Sequence, residues 1–440
     1  MYKEREEFIS YINKNENEKE HIENAKKRII NSDIKAHNKD IPFSYVPLFI
    51  NKEDYDFFTD ITKMLIKILS KITRKYIEDE SYRKLFPFSK TMENLILLPC
   101  NYENIIPVGR YDLFLNESDN SYKFCEFNTD GSGGMSRDFE ISSAILANTT
   151  NYEFIKKYNA KPFDTIDLIA EELIKTYNTD KNKVDNPTFC ITDFTEEGVM
   201  SDFQRFIKAF KNKGIDARFT DVRNLYFDGE KLIDKTDGKK IDAIYRRLVT
   251  SVLIERIDEC KDLIKAVENE KVVLLGHFRT SIAHSKNISV VIHDKKTKEF
   301  LTEEETEFIN LHMPLSYYLS DNNLDNKLKE NIIANKDKWI IKPDEGFGSF
   351  GIYCGKDETK ESWQNIINDK MNHHYIVEEF IDSEKVNFLN YINNKIENYN
   401  LMIGVYHCND KVTGFYSRGG NNGIIDFNHD GILVSTVRCF

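Results

Sequence analysis

The chain has 440 residues, with 61 Lys or Arg against 73 Asp or Glu, for a formal net charge of −12. That length can bury a large core and predicts two or three structural units. The positive residues are spread thinly, with no basic block and no basic patch interleaved with aromatics, which argues against a nucleic-acid partner.

Acidity would suit a cationic substrate such as a polyamine, although solubility is the simpler reason for it. The seven cysteines, Cys100, Cys125, Cys190, Cys260, Cys354, Cys408 and Cys439, form no CxxC pair and are odd in number. This fits reduced thiols and a cytoplasmic location better than a disulfide framework or a zinc site. None of the ten histidines has HExxH spacing, and they read as structural or surface residues. There is no GxSxG and no cysteine in a recognisable nucleophile setting, so covalent catalysis by a side chain is not indicated. No run of about 18 apolar residues suggests a membrane span, and the charged N-terminal segment lacks an apolar signal core.

In chain order, residues 1–90 are expected to form a helical layer. KEREEFISYINKN and ENAKKRIINS have helical spacing, and DYDFFTDITKMLIKILSKITRKYIEDE presents Phe58, Ile61, Met64, Leu65, Ile68 and Leu69 on one face. Residues 91–180 open with a β-hairpin, IPVGRYDLFL–NESDN–SYKFCEFN, followed by helices punctuated by Pro162. Residues 181–265 read as a Rossmann-like unit. PTFCITDF, DARFTDV and IDAIYRRL are strands, SDFQRFIKAFKNKG is a helix ended by Gly214, and LYFDGEKLI is a hairpin around Asp228-Gly229. The βαβ order implies a parallel sheet. No GxGxxG follows the first strand, so dinucleotide binding is not expected. Residues 266–440 alternate strands and helices again, with a capping box predicted at Thr302 and Glu305.

Two stretches carry chemistry. In VGRYDLFL, Arg110 and Asp112 share a face because strand side chains alternate. In KFCEFN, Glu126 and Asn128 share a face, with Cys125 and Phe127 opposite. A turn centred near Ser118 would set Arg110 across from Glu126 and Asp112 diagonal to it, putting all four polar residues on one side. Asp, Glu and Asn oxygens are hard ligands suited to Mg²⁺, and an adjacent Arg suits a phosphoryl or carboxylate group. A solvent-facing polar strand with a routine ion pair would look the same.

The second stretch is WIIKPDEGFGSFG. An apolar strand delivers Lys342, and a loop with Gly346, Gly348 and Gly351 follows. A fixed cation beside backbone amides unobstructed by a Cβ suits a triphosphate. No Gly-Lys-Ser/Thr follows, so this is not a Walker A loop. YIVEEFI offers Glu378, Glu379 and the backbone near Phe380 as an adenine hinge. Arg418 precedes Gly419-Gly420, where it could clamp developing charge. Arg246-Arg247 ends a strand of the parallel sheet, where ligands commonly dock, and either could equally be a surface ion-pair residue.

Together these motifs resemble the ATP-grasp superfamily. The Glu126-x-Asn128 pair precedes Lys342, which matches the circularly permuted group that contains the synthetase domain of glutathionylspermidine synthase. The resemblance spans about Val46 to Phe440 and carries no cysteine amidase domain. It implies an α/β (α+β) class with a circularly permuted ATP-grasp fold, an inserted Rossmann-like unit and an N-terminal helical layer.

By the same resemblance, Arg110 holds an acyl phosphate, while Asp112, Glu126 and Asn128 hold Mg²⁺, two ions in all. Lys286 is the first nucleotide lysine, with Lys327, Lys329 and Lys338 as alternatives. Lys342 is the second, followed by the flap with Gly346 and Gly348. Glu378, standing where a glutamine is more usual, forms the adenine hinge with Glu379 and Phe380. Arg418 is the late catalytic arginine, and Arg247 joins the catalytic set from its strand-end position alone, not from the resemblance. The implied reaction is ATP-dependent ligation of a small-molecule or peptide carboxylate to an amine, through an acyl phosphate. A kinase on the same scaffold and a non-catalytic nucleotide-binding homologue are the alternatives. The motifs name neither substrate and leave the oligomeric state open.

Overall fold

The computed structural model describes residues 1–35, 39–147, 152–346, 348–390 and 395–440. The helical layer is present as Tyr2–Lys14, Glu18–Ile30 and the long helix Lys52–Glu78. Asn51 starts the long helix with a capping box to Asp54. Its apolar stripe, Phe58, Ile61, Leu65, Ile68 and Leu69, is buried. One element was not expected: Leu48–Ile50 is a strand running parallel to Thr436–Arg438, which ties this layer to the last strand. A three-residue strand buried throughout has no alternation to betray it, and its partner is remote in sequence.

Two sheets position the site. The larger is seven-stranded. Its long strand Lys395–Cys408 pairs antiparallel with Val108–Leu115, which pairs in turn with Tyr122–Asn128. Lys385–Asn390, Lys411–Phe415 and Ser417–Gly420 also pair with the long strand. The second sheet is antiparallel, in the order Ser316–Tyr318, Tyr375–Glu379, Trp339–Pro343, Tyr353–Cys354. Behind it Ile341, Val377 and the fully buried Trp363 form a core. The Trp363 indole donates to the Ile332 carbonyl at 3.0 Å, fixing helix Lys360–Lys370 to helix Asn326–Ala334.

The parallel sheet runs Val273–Leu275, Ala243–Arg246, Thr188–Asp193, Asp216–Asp221. Helix Met200–Asn212, followed by Gly214 at φ +80°, is the crossover between its last two strands. The Asp228-Gly229 hairpin is present, as is the Thr302–Glu305 capping box. Among the described residues no helix is long and apolar enough to cross a membrane.

The parallel sheet is fastened to the loop that follows the Val108–Asn128 hairpin by one buried ion pair. Arg246 reaches Asp130 at 2.5 Å, with both side chains 1% exposed, and also donates to the Gly276 and Leu248 carbonyls. Arg246→Ala strands the Asp130 carboxylate, so unfolding in urea is expected to be easier by about 3–5 kcal/mol. A loss near zero would show that the two elements are held by other contacts.

Candidate functional site

The hairpin puts Arg110, Asp112, Glu126 and Asn128 on one face, as alternation requires, but in a different register from the expected one. Arg110 lies opposite Asn128 and Asp112 directly opposite Glu126. The offset is two residues, which preserves which face each side chain takes. One residue of it comes from a turn centred between Ser118 and Asp119, since Leu115 pairs with Tyr122, and the other from a bulge between Asp112 and Leu113, where Leu113 pairs with Phe124 and leaves Cys125 as the extra residue. Cys125, expected on the opposite face, therefore lines the same cleft. Its thiol donates to the Asp112 carbonyl at 3.3 Å, and burial pushes its pKa well up.

Asp112 is fully buried beneath two guanidiniums. Arg110 forks it at 2.7 and 3.0 Å, Arg418 reaches Oδ2 at 3.2 Å, and the Asn128 amide donates to Oδ2 at 3.3 Å. That last bond turns the Asn128 side-chain oxygen away from Asp112. Gly404, opposite Asp112 on the long strand, makes room for this cluster. A Cβ there would lie 2.7 Å from Asp112 Oδ1 and 2.9 Å from Arg110 Cδ. Nothing local in the sequence marks Gly404, because its requirement comes from the neighbouring strand.

Two lysines from distant segments close on this face. Lys286 Nζ lies 3.3 Å from Glu126 and donates to the Gly346 carbonyl at 3.0 Å. Lys342 Nζ lies 2.5 Å from Glu378 and donates to the Cys125 carbonyl at 3.2 Å. Burial alone would raise the pKa of Glu126, but Lys286, Lys342, Arg110 and Arg418 together hold it at about 2. Burial disfavours the Lys342 ammonium, yet Glu378 keeps its pKa above the ordinary value. Of the alternative lysines, Lys329 is paired with Asp321 at 2.6 Å, and Lys327 and Lys338 are exposed outside this cleft.

The hinge needs one correction. The Phe380 amide donates to the Lys338 carbonyl at 2.8 Å, so it is already committed, while the Phe380 ring still lines the cleft. The next amide, Ile381, also within the stretch read as the hinge, has no partner among the described residues. Glu378 is also committed, taking Lys342 on one oxygen and Ser316 Oγ on the other at 2.9 Å. Glu379 accepts from the Leu315 amide at 3.2 Å. The slot beside the hinge is apolar, walled by Ile340, Ile352, Met402, Ile424 and Ile425.

In the glycine loop, Gly346, Gly348 and Gly351 have φ of +134°, +68° and +72°, conformations that side chains resist. The loop residue Phe347 lies outside the described residues. Gly348 and Ser349 also line a second cavity that shares Arg110, Asn128 and Arg418 with the first. Its volume, about 310 Å³, suits a small molecule. Arg247 belongs here and not beside the lysines. It is buried, donates to the Tyr245 hydroxyl at 3.0 Å, and keeps its Nε unpartnered.

Among the described residues no three His, Cys, Asp or Glu side chains gather as a metal site. Glu126 and Asn128 line the cleft and offer oxygens that suit a hard divalent cation completed by phosphate and water, whereas Asp112 is buried with both oxygens already held by Arg110 and Arg418.

No family model and no curated protein matches the sequence. Solved structures do match. A Methylobacillus flagellatus KT protein described as a gamma-glutamylcysteine synthetase aligns at TM-score 0.39 and 11% identity, over 83% of this chain and 82% of that one. The ATP-grasp ligase PsnB, solved with a minimal precursor, Mg and ADP, aligns at 0.24 and 11%, over 57% of this chain and 89% of that one. A glutathione synthetase-like effector from Globodera pallida aligns at TM-score 0.64 and 14% identity, over 95% of this chain and 96% of that one. The chain therefore shares its fold with the Globodera pallida protein over nearly the whole length of both.

Proposed function

We propose that this chain is an ADP-forming ligase that joins a carboxylate to an amine, built on a circularly permuted ATP-grasp scaffold. The observation that carries the reading is the meeting of the hairpin acids with two remote lysines, Glu126 with Lys286 at 3.3 Å and the Cys125 carbonyl with Lys342 at 3.2 Å. The fold shared with a glutathione synthetase-like effector supports it.

In this reading the apolar slot and the Glu379–Ile381 backbone take the base of ATP, and Lys286 and Lys342 bind its phosphates. Asp112, Glu126 and Asn128 hold Mg²⁺, two ions by analogy, which supplies charge neutralisation on the transferring phosphoryl group. The carboxylate substrate lies in the second cavity, with its reacting end between Arg110 and Arg418. Its oxygen displaces ADP from the γ-phosphorus and becomes an acyl phosphate. Arg110 and Arg418 stabilise the charge on that group and on the tetrahedral adduct the amine then forms. Arg247, which lines the same cavity, is a further cation for the substrates.

The substrates are a small-molecule or peptide carboxylate and an amino compound. ADP release screened over paired acids and amines, with product masses, tests this. ADP should appear only when both are present, with a product weighing their sum less one water. A stable phosphorylated acid made without amine would replace the ligase with a kinase. Nucleotide binding without ADP formation for any pair would leave a binding protein.

A further inference from the structure

One acid of the second cavity has no part in the chemistry above. Asp193 ends the strand Thr188–Asp193 and lines the space that also holds Arg110, Arg247 and Arg418. It is 7% exposed. Its Oδ1 accepts the Phe194 amide at 2.8 Å, and no cation pairs with it among the described residues.

The neighbouring charges are spent elsewhere. Arg246 is taken by Asp130, and Arg247 is turned to the Tyr245 hydroxyl, with Asp202 at 3.9 Å. Asp221, across the ladder from Asp193, is held by Arg223 and Thr195. Glu197 on the same loop is exposed. The cavity's other buried acids differ from Asp193. Asp130 has its arginine, and Asp426 has His429 at 2.7 Å. Burial therefore pushes the pKa of Asp193 up to about 7, with Arg247 opposing and Glu197 adding. A carboxylate so placed is a matched proton acceptor at neutral pH, which an ordinary aspartate is not.

Ligation requires such a group. An amine at neutral pH is an ammonium without a lone pair. We propose that Asp193 accepts the proton the acceptor ammonium sheds before it attacks the acyl phosphate, an inference that rests on the ligase reading. The ammonium N–H bond breaks and its proton passes to the Asp193 carboxylate. The freed lone pair forms the C–N bond, and the acyl C–O bond then breaks with its electron pair leaving on phosphate. The second nitrogen proton goes to that phosphate, and Asp193 returns its own to solvent.

Asp193→Asn keeps an acceptor for the Phe194 amide and removes the base. Difference infrared spectra of the full chain labelled with ¹³C-aspartate read the proton directly. The wild type should show a carboxyl band that disappears through neutral pH and is missing from Asp193→Asn. An Asp193 that ionises in the ordinary acidic range overturns the proposal, whatever the enzyme's substrates. The kinetic arm uses ATP and glutathione with methylamine or with hydroxylamine, which is mostly unprotonated at neutral pH. Asp193→Asn should slow methylamine coupling by about 10²–10⁴-fold, with recovery at high pH, and leave hydroxamate formation near wild type. Equal loss with both nucleophiles overturns the proton role. If the wild type turns over neither mixture, the ligase reading for this acid fails, and the infrared result still decides Asp193.

Discussion

Replacing Lys342 with methionine, in a chain that also carries Glu378→Gln, is expected to leave a folded protein that forms ADP about 10²–10³-fold more slowly. The two changes belong together. Lys342 and Glu378 are 2.5 Å apart, with side chains 9% and 2% exposed. Lys342→Met alone strands the Glu378 carboxylate and should cost about 3–5 kcal/mol of stability, so lost activity could then be lost fold. A glutamine at 378 removes the stranded charge and can still accept from Ser316. Loss of one preorganised charge at a transferring phosphoryl group typically costs about 10²–10³-fold in rate. Lys342 is also the cation that joins the Trp339–Pro343 strand to the hairpin bulge. Circular dichroism and denaturation should show the double variant close to wild type. Wild-type ADP formation by it would remove Lys342 from the phosphate site.

Glu126→Gln is the second large effect. The side chain keeps its shape and hydrogen-bonding capacity but loses the charge that a divalent cation needs. ADP formation should fall about 10²–10³-fold, and the Mg²⁺ concentration for half-maximal rate should rise. The pH dependence follows from the cation ring around Glu126. Its pKa is lowered from 4.5 to about 2 in the folded chain. The resulting stabilisation is fully present above about pH 4.5 and fades as pH falls toward 2. Mg²⁺ dependence in the wild type should therefore be flat across neutral pH, and Glu126→Gln should flatten the acid limb of the stability curve. An unchanged Mg²⁺ requirement in the variant would take Glu126 out of the metal set.

The residue faces of this site were legible because strand alternation is a local property. Arg110, Asp112, Glu126 and Asn128 share a face whatever the register, provided the offset is even. The register itself was not legible, since the bulge at Cys125 leaves no mark in the alternation. Lys342 and its glycines stand out as a strand followed by a loop. Lys286 sits on short helical turns, and the resemblance to a family pointed to it where its local pattern did not. Gly404 and the committed Phe380 amide were invisible for one reason: each is defined by a residue that only the folded chain brings near, Asp112 in one case and Lys338 in the other. Arg247 was recognised as lying at a ligand edge, but its separation from the lysines depends on how the parallel sheet meets the hairpin.

The site also divides its charges by task. Arg110 and Arg418 lie where both cavities meet, on a buried Asp112 that fixes their positions. In the proposed ligase reading, a phosphoryl group made in the first cavity would be held for a nucleophile arriving from the second without crossing open water.

The most direct measurement is a crystal structure of the full chain grown with ADP and Mg²⁺. A metal is expected on Asp112, Glu126 and Asn128, phosphates on Lys286 and Lys342, and the base against Glu379–Ile381. Nucleotide bound elsewhere, with Glu126 still paired to Lys286 and no metal beside it, would contradict the ligase reading.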